Sequence, residues 1–492
     1  MLFQYQRLAQ QIADKIKQQE YLAHQKLSSL RQFASQHAIS LNTAKACYAL
    51  LEAQGFIYVK ERSGYYVKEI VFKNQQLSHK MHLPIYPDFS SHARSVSNLD
   101  LQIEIQNASI HPQRIHLGAI QLSPALIPIK ALRRSIQRAL KHSHPEDFLY
   151  SDRQGHIKLR QALSMHWAED GLFITPDSIY MTNGCMAALS VLIQTLTQEG
   201  DSIIVPMPNY NGQQQLLANL KRKIIEIPAS DEGIDLIRLE QVLQQSNACC
   251  CLLTANYQNP LGYCLTQPQK EKIAQLAHQY ACTIIEDDIY AECCFSFQRP
   301  LPIQHWDQHG YVILCSSISK SLSSAYRVGW YCLPERYKHL HSQLMTHTVT
   351  VNTPLQLGLA DLIYSRTYRE HLNQLRPQLM KQVHAYREYL LQVFAEIPIK
   401  INLPQGGYSL WIQLPKMIDS LDCYYFAQQH QINIVPGEVF GEDHRYRNFI
   451  RLNAGYALSY EICKAIQLLA HWVREKYCAP PVVLNNQPIH AE

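Results

Sequence analysis

Three apolar runs of this chain end in side chains that could do chemistry together. Residues 249–253 are followed by Asn256, Asn259, Pro260 and Gly262, and residues 282–285 by Glu286, Asp287, Asp288 and Tyr290. Residues 311–314 are followed by Ser316, Ser317, Ser319, Lys320 and, seven positions on, Arg327. Short apolar runs rich in β-branched residues predict buried strands. In open α/β sheets ligands bind beyond the carboxyl ends of the strands. Three successive strand ends offering an amide, then an acid with a tyrosine, then serines, a lysine and an arginine describe one pocket. A single lysine among serines is also what a solvated loop looks like; the other two strand ends give Lys320 its meaning.

A lysine amine can form a Schiff base with an aldehyde cofactor. Pyridoxal 5'-phosphate uses such a lysine together with an acid on its pyridine nitrogen. Asp287 suits that nitrogen, with Asp288 as the rival acid; Tyr290 and Asn259 can reach the phenolic oxygen, and Arg327, Ser317 and Ser319 suit the phosphate. The motifs N-P-x-G, D-x-x-Y and S-x-S-K, with R-x-G beginning seven residues after the lysine, occur in this order. The set resembles a fold-type I pyridoxal-phosphate enzyme of the class I/II aminotransferase kind.

That resemblance implies an α/β fold: a mixed, mostly parallel sheet with helices on both faces and a small C-terminal α+β subdomain. It also implies further residues. Tyr150, in Y-S-D-R-Q-G, matches a tyrosine that reaches the cofactor phosphate of the neighbouring subunit, which implies a homodimer. Gly184, Cys185 and Met186 follow an apolar run and open a helix, where backbone N–H groups suit a phosphate. Tyr210, after Pro208 and Asn209, fits the aromatic residue stacked on the pyridine ring, with plain packing as the other reading. Arg451 interrupts an apolar run (I-R-L), and a buried arginine needs a partner. Its fork matches a carboxylate, and the family places its substrate-carboxylate arginine here, with Asn259 on the same substrate; a structural ion pair is the alternative. Ser324 stands where the family often has proline.

Elements spread over residues 107–478 must position these groups, and the chain of 492 residues is long enough for at least one further domain. A helical period over residues 4–19 is followed by a second helix opening at Ser28 or Ser29 and a third opening at Ser40. Residues 56–59 and 65–67 then flank Arg62-Ser63-Gly64 as a hairpin with a basic tip. Three helices and a wing make a winged helix-turn-helix over residues 1–69. The segments K-L-S-S-L-R, S-L-N-T-A-K-A-C-Y-A-L-L-E-A-Q-G and S-G-Y-Y-V resemble a GntR-type DNA-binding domain. By that pattern Arg31 and Arg62 hold phosphates while Asn42, Thr43 and Lys45 face the major groove of a double-stranded operator, and Lys60 is expected to add a further phosphate contact. Capping the helix is the other role open to Asn42 and Thr43. Ser28 replaces the family's usual proline, and Leu41 an arginine.

Charge agrees with this division. Residues 1–69 hold nine Lys/Arg against five Asp/Glu, most of the net +5 of the whole chain. Residues 70–106 are polar and without sustained period, so a linker is expected, and residues 479–492 read as a disordered tail. A GntR-type domain joined through a linker to an aminotransferase-like domain resembles the MocR group of bacterial regulators. None of the 14 cysteines forms a C-x-x-C or a zinc-spaced cluster, so no metal is expected and the thiols suit a reducing compartment. No apolar segment approaches the ~20 residues that span a bilayer, and a cytoplasmic location is expected. Two functions follow: a pyridoxal-phosphate-dependent transcriptional regulator sensing an amino acid or amine, or a working aminotransferase with a DNA-binding appendage.

Overall fold

The computed structural model describes residues 4–17, 21, 24–53, 56–60, 63–68, 94, 99–109, 111, 114–150, 152–246, 248, 250–296, 298–347 and 350–478. The described residues up to Lys68 build three helices, α1 (Gln4–Lys17), α2 (Leu30–Gln36) and α3 (Leu41–Ala53), and a hairpin of β1 (Ile57–Lys60) and β2 (Gly64–Val67). Ser29 caps α2: its hydroxyl accepts from Gln32 N at 3.3 Å while Gln32 Oε1 accepts from Ser29 N at 3.2 Å. Ser40 caps α3, accepting from Thr43 N at 3.0 Å. Such caps satisfy backbone donors that the first helical turn leaves unpaired. Leu8, Ile12 and Ile16 line one stripe of α1 and close a separate core with Phe33, Tyr48, Leu51, Ile57 and Val67. The hairpin is antiparallel, with Ile57 opposite Val67 and Lys60 opposite Gly64. Arg62 lies outside the described residues.

Of the expected linker, residues 70–93 and 95–98 lie outside the described residues, and α4 (Leu99–Ser109) occupies its end, with Gln102 and Ile105 buried. Its sequence L-D-L-Q-I-E-I alternates apolar and polar residues, which hides a helical period. The helix therefore cannot bury all its apolar residues, and Ile103 is 47% exposed.

From β3 (Ile115–His116) onward the large unit forms around one eight-stranded sheet. Its strands are β4 (Ile179–Thr182), β5 (Ser202–Met207), β6 (Lys223–Ser230), β7 (Gly233–Ile234), β8 (Cys250–Leu253), β9 (Thr283–Asp287), β10 (Val312–Ser317) and β11 (Gly329–Cys332), in the order β4-β11-β10-β9-β8-β5-β6-β7. Only β11 and the short edge strand β7 run antiparallel to their neighbours. Successive strand residues feed two different cores. Ile204, Cys251, Ile284 and Leu314 pack on one face, and Ile203, Cys250, Ile285 and Ile313 on the other. Strands apolar on both faces suit a parallel sheet covered on both sides.

Helices α5 (Ile129–Lys141), α6 (Ile157–Ala168), α7 (Cys185–Leu196) and α8 (Asn211–Asn219) follow in the first half of this unit, and α4 packs against α8. A second, antiparallel sheet, in the order β12-β13-β16-β15, gathers β12 (Lys400–Ile401), β13 (Ser409–Gln413), β15 (Val435–Pro436) and β16 (Phe449–Asn453). The remaining strand, β14 (Ile432–Asn433), pairs in parallel with β3. Among the described residues no helix is long and apolar enough to cross a membrane, and no group of three His, Cys, Asp or Glu is placed to hold a metal.

Candidate functional site

Two strands run further than their apolar cores indicate. Glu286 and Asp287 end β9, and Ser316 and Ser317 end β10, inside the ladder rather than beyond it. The ladder tolerates these polar residues because each finds partners. Glu286 accepts from Ile303 N at 2.9 Å and Gln304 N at 3.2 Å, and Ser317 Oγ accepts from Ser319 N at 3.2 Å.

Asp287 is buried and turned toward α7 and α8. Its Oδ1 accepts from Cys185 Sγ at 3.3 Å and Ile289 N at 3.2 Å, and its Oδ2 from Gln213 Nε2 at 2.8 Å. Burial pushes its carboxyl above the ordinary range, and these donors oppose that rise. Asp288 is engaged elsewhere: Asn256 Nδ2 donates to it at 2.7 Å, and it pairs with the buried Arg299. Burial raises it to about 6 despite that cation. The rival acid is thus bound into a different network, which includes Lys270 donating to Asn256 Oδ1 at 2.7 Å.

Lys320 lies three residues beyond β10. Its Nζ donates to Ile120 O at 2.5 Å and sits 5.8 Å from the centre of the Tyr290 ring. Burial, with the charge of Arg451 next, lowers its pKa to about 8. Tyr290 is buried edge-on against Tyr408, whose hydroxyl donates to Lys320 O at 3.2 Å.

Arg451, in the middle of β16, is 4% exposed. It donates to Asn259 Oδ1 at 3.2 Å and to Gly118 O at 2.7 Å, and its buried Nε finds no acceptor. Among the described residues no carboxylate pairs with it, so the structural ion pair that the sequence left open is not formed. Burial lowers its pKa to about 10, with Tyr290 and Tyr210 as the neighbours that oppose the shift.

At the end of β4 the chain turns through Gly184, at φ 96°, into α7, whose first residues are Cys185 and Met186. A Cβ on Gly184 would strike the guanidinium of Arg327, so glycine is needed both for the turn and for the close approach. Arg327 is exposed, itself in the left-handed region at φ 50°, and donates to Asn183 O at 3.0 Å. Tyr210 precedes α8 at the end of β5, its ring lying against Gly212. Ser319 is buried beside Lys320. Tyr150 is not brought to this crevice within the chain; it is 86% exposed on a loop beside the exposed Phe148 and Leu149.

The crevice fits a phosphorylated, ring-bearing aldehyde. It offers a helix N-terminus with an arginine for an anion, a buried carboxylate for a ring nitrogen, and an amine brought toward neutrality. It also holds two buried polar atoms that await a partner, Arg451 Nε and Gln213 Oε1. Gln213 was not singled out in the sequence, and its only signal is its place three residues after Tyr210 in a run of amides. The carbonyls of Gly118 and Ile120 carry no side-chain signal at all.

In the N-terminal unit Arg31 is exposed in the first turn of α2, Asn42 and Lys45 are exposed on α3, and Lys60 is exposed on β1. The Thr43 hydroxyl is engaged with the hydroxyl of the capping Ser40 at 2.8 Å, and Thr43 is half-buried.

A winged helix ahead of a doubly covered sheet with a lysine crevice at its strand ends defines a DNA-binding domain fused to an aminotransferase fold. The chain belongs to the class I and II aminotransferase family, whose model matches residues 117–464, and carries at its N-terminus a match to the gntR family of bacterial regulatory proteins over residues 4–67. Together they form a MocR-like architecture. Relatives match it over most of its length. An uncharacterized HTH-type transcriptional regulator, YdcR, of Escherichia coli (strain K12) is 32% identical over 96% of this chain and 99% of its own. The HTH-type transcriptional regulator NorG of Staphylococcus aureus (strain USA300) is 26% identical over 92% and 100%. Among solved structures, the multiple substrate aminotransferase of Thermococcus profundus superposes with a TM-score of 0.69 at 24% identity, covering 78% of this chain and 96% of that one.

Proposed function

We propose that this chain is a dimeric, cytoplasmic transcriptional regulator that carries pyridoxal 5'-phosphate at Lys320 and senses an amine or amino acid bearing a carboxylate. The observation that carries this reading is Arg451: a buried guanidinium without a carboxylate partner, facing the same crevice as Lys320, in a chain that begins with a winged helix.

When bound, the cofactor supplies an aldehyde for the lysine and an electron-withdrawing ring. The chain's own residues do the rest. Asp287, held by neutral donors from Cys185 and Gln213, favours a proton on the ring nitrogen. Asn259 and Tyr290 would hold the phenolic oxygen, and Tyr210 would pack on the ring. The N–H groups at Gly184, Cys185 and Met186, with Ser317, Ser319 and Arg327, would hold the phosphate, and Tyr150 of a second subunit would complete the set. Arg451 selects the ligand by its carboxylate. Lys320, Asp287 and Arg451 also leave transamination chemically open, so the test must separate regulation from turnover.

A gel-shift or footprint on the DNA upstream of the chain's own coding region does this, with pyridoxal phosphate and a panel of amino compounds. Binding that changes with an amino compound supports the regulator. A dimer that ignores DNA at low salt while converting amino acids at ordinary enzyme rates overturns it.

A further inference from the structure

Arg94 is the one described residue between Lys68 and Leu99, and it is held firmly. Its backbone forms an antiparallel bridge on the edge of β6, donating to Ile224 O at 3.0 Å and accepting from Ile224 N at 2.8 Å. Its guanidinium pairs with Glu226 and lies 3.5 Å from Glu442. Glu226 is 3% exposed, and its second oxygen accepts from Arg445 Nη1 at 2.5 Å. A carboxylate buried this deeply is tolerated only while it stays paired. Two arginines from distant parts of the chain therefore share one buried acid.

Glu442 and Arg445 belong to residues 437–448, and the same loop touches the ligand crevice. Asn209 N donates to Phe440 O at 3.1 Å, and Gln214 Nε2 to Val439 O at 3.3 Å, on either side of Tyr210. The Phe440 ring lies 5.2 Å from the guanidinium carbon of Arg451. Phe440 and Glu442 are two residues apart. One short loop thus joins the arginine that would meet a ligand carboxylate to the acids that hold the segment leading to the winged helix.

We propose that Arg94, Glu226, Glu442 and Arg445 form a latch that tightens when the crevice fills, coupling ligand occupancy to the interdomain segment. The inference rests on the reading of the crevice given above. A carboxylate on Arg451 satisfies its unpaired Nε and orders Phe440, and with it the loop that carries Glu442 and Arg445. Binding that orders one element lowers the cost of ordering the next.

The test uses the full chain with pyridoxal phosphate alone and with N-(5'-phosphopyridoxyl)-L-alanine, a stable probe that fills both cofactor and carboxylate positions. Hydrogen exchange of the peptide containing Ile224 reads the latch directly, since that amide donates to Arg94. Exchange should slow several-fold with the probe, and Arg94→Met should abolish the difference; Glu226 keeps Arg445 in this variant, so the fold is preserved. Probe-dependent change in DNA affinity should be lost in the same variant. Unchanged or faster exchange at Ile224 in the parent chain overturns the latch, as does a full probe response in Arg94→Met. The two readings fail separately. Exchange that responds while DNA affinity does not leaves the latch and removes the regulator; the reverse removes the latch and leaves the regulator. A probe that does not bind removes both.

Discussion

The proposed role of Lys320 needs its neutral amine, because an amine is a nucleophile only after losing its proton. An ordinary lysine holds that proton to a pH near ~10.4, whereas burial and Arg451 bring Lys320 to about 8. The neutral amine is therefore abundant from pH ~8 upward, and its fraction falls about tenfold per unit below that. The rate at which cofactor-free protein captures pyridoxal phosphate should rise with pH and level off above a midpoint near 8. Stopped-flow absorbance checks this, and a midpoint close to 10 would contradict it. Borohydride should then fix the cofactor on the peptide containing Lys320; label on another lysine would show that the wrong amine was chosen.

The two adjacent acids should separate cleanly. Asp287→Asn should weaken cofactor retention with little effect on folding, because its partners Cys185, Gln213 and Ile289 N are neutral. Asp288→Asn should instead lower stability by roughly 3 kcal/mol, the lower end of the cost of breaking a buried pair, since Arg299 keeps Glu292 at 3.2 Å. Denaturant melts and cofactor titrations on both variants decide it, and exchanged phenotypes would mean that Asp288 faces the ring. The sequence named both acids but could not orient them, because neighbouring strand residues point to opposite faces. Gln213 was illegible for a related reason: its importance comes from where α8 begins, not from its residue type.

At the scale of elements, strand ends were the legible part. Apolar runs located β8, β9 and β10, and the polar residues after them located the crevice. The bounds were less legible, because Asp287 and Ser317 extend their strands by finding partners that only the tertiary structure provides. Helix α4 was missed, since alternating apolar residues signal a strand and its burial against α8 was not visible locally. The turn from β4 into α7 carries its own prediction. Gly184 sits at φ 96° with Arg327 packed over it, so Gly184→Ala meets both strain and a clash. A backbone conformation this close to glycine-only costs another residue about 1–3 kcal/mol, and displacing Arg327 also removes a cation from the proposed phosphate position. Cofactor affinity should fall more than tenfold while inorganic phosphate in the buffer loses its ability to compete. Retained affinity in a folded Gly184→Ala protein would place the phosphate elsewhere.

At the scale of the whole molecule, two winged helices brought together by a dimer should meet two half-sites held in a fixed geometric relation. Arg31 and Lys60 are exposed on α2 and β1, where cations would meet phosphates of bound DNA. Each phosphate contact contributes about −0.9 to the slope of log K against log salt. Arg31→Ala, present twice per dimer, should flatten that slope by about 1.8 and weaken binding to every sequence alike. Asn42 and Lys45, exposed on α3, should instead change which sequence is preferred. Leu41 adds a distinct expectation. It is 49% exposed at the first position of α3, beside Asn42, and an apolar side chain in the major groove suits the methyl group of thymine. Replacing thymine by uracil at one half-site position should therefore weaken the parent chain several-fold and leave Leu41→Ala indifferent. Fluorescence anisotropy on matched duplexes measures this at a single salt concentration. If no thymine in the footprint responds to loss of its methyl, Leu41 does not read a base and its exposure has another cause.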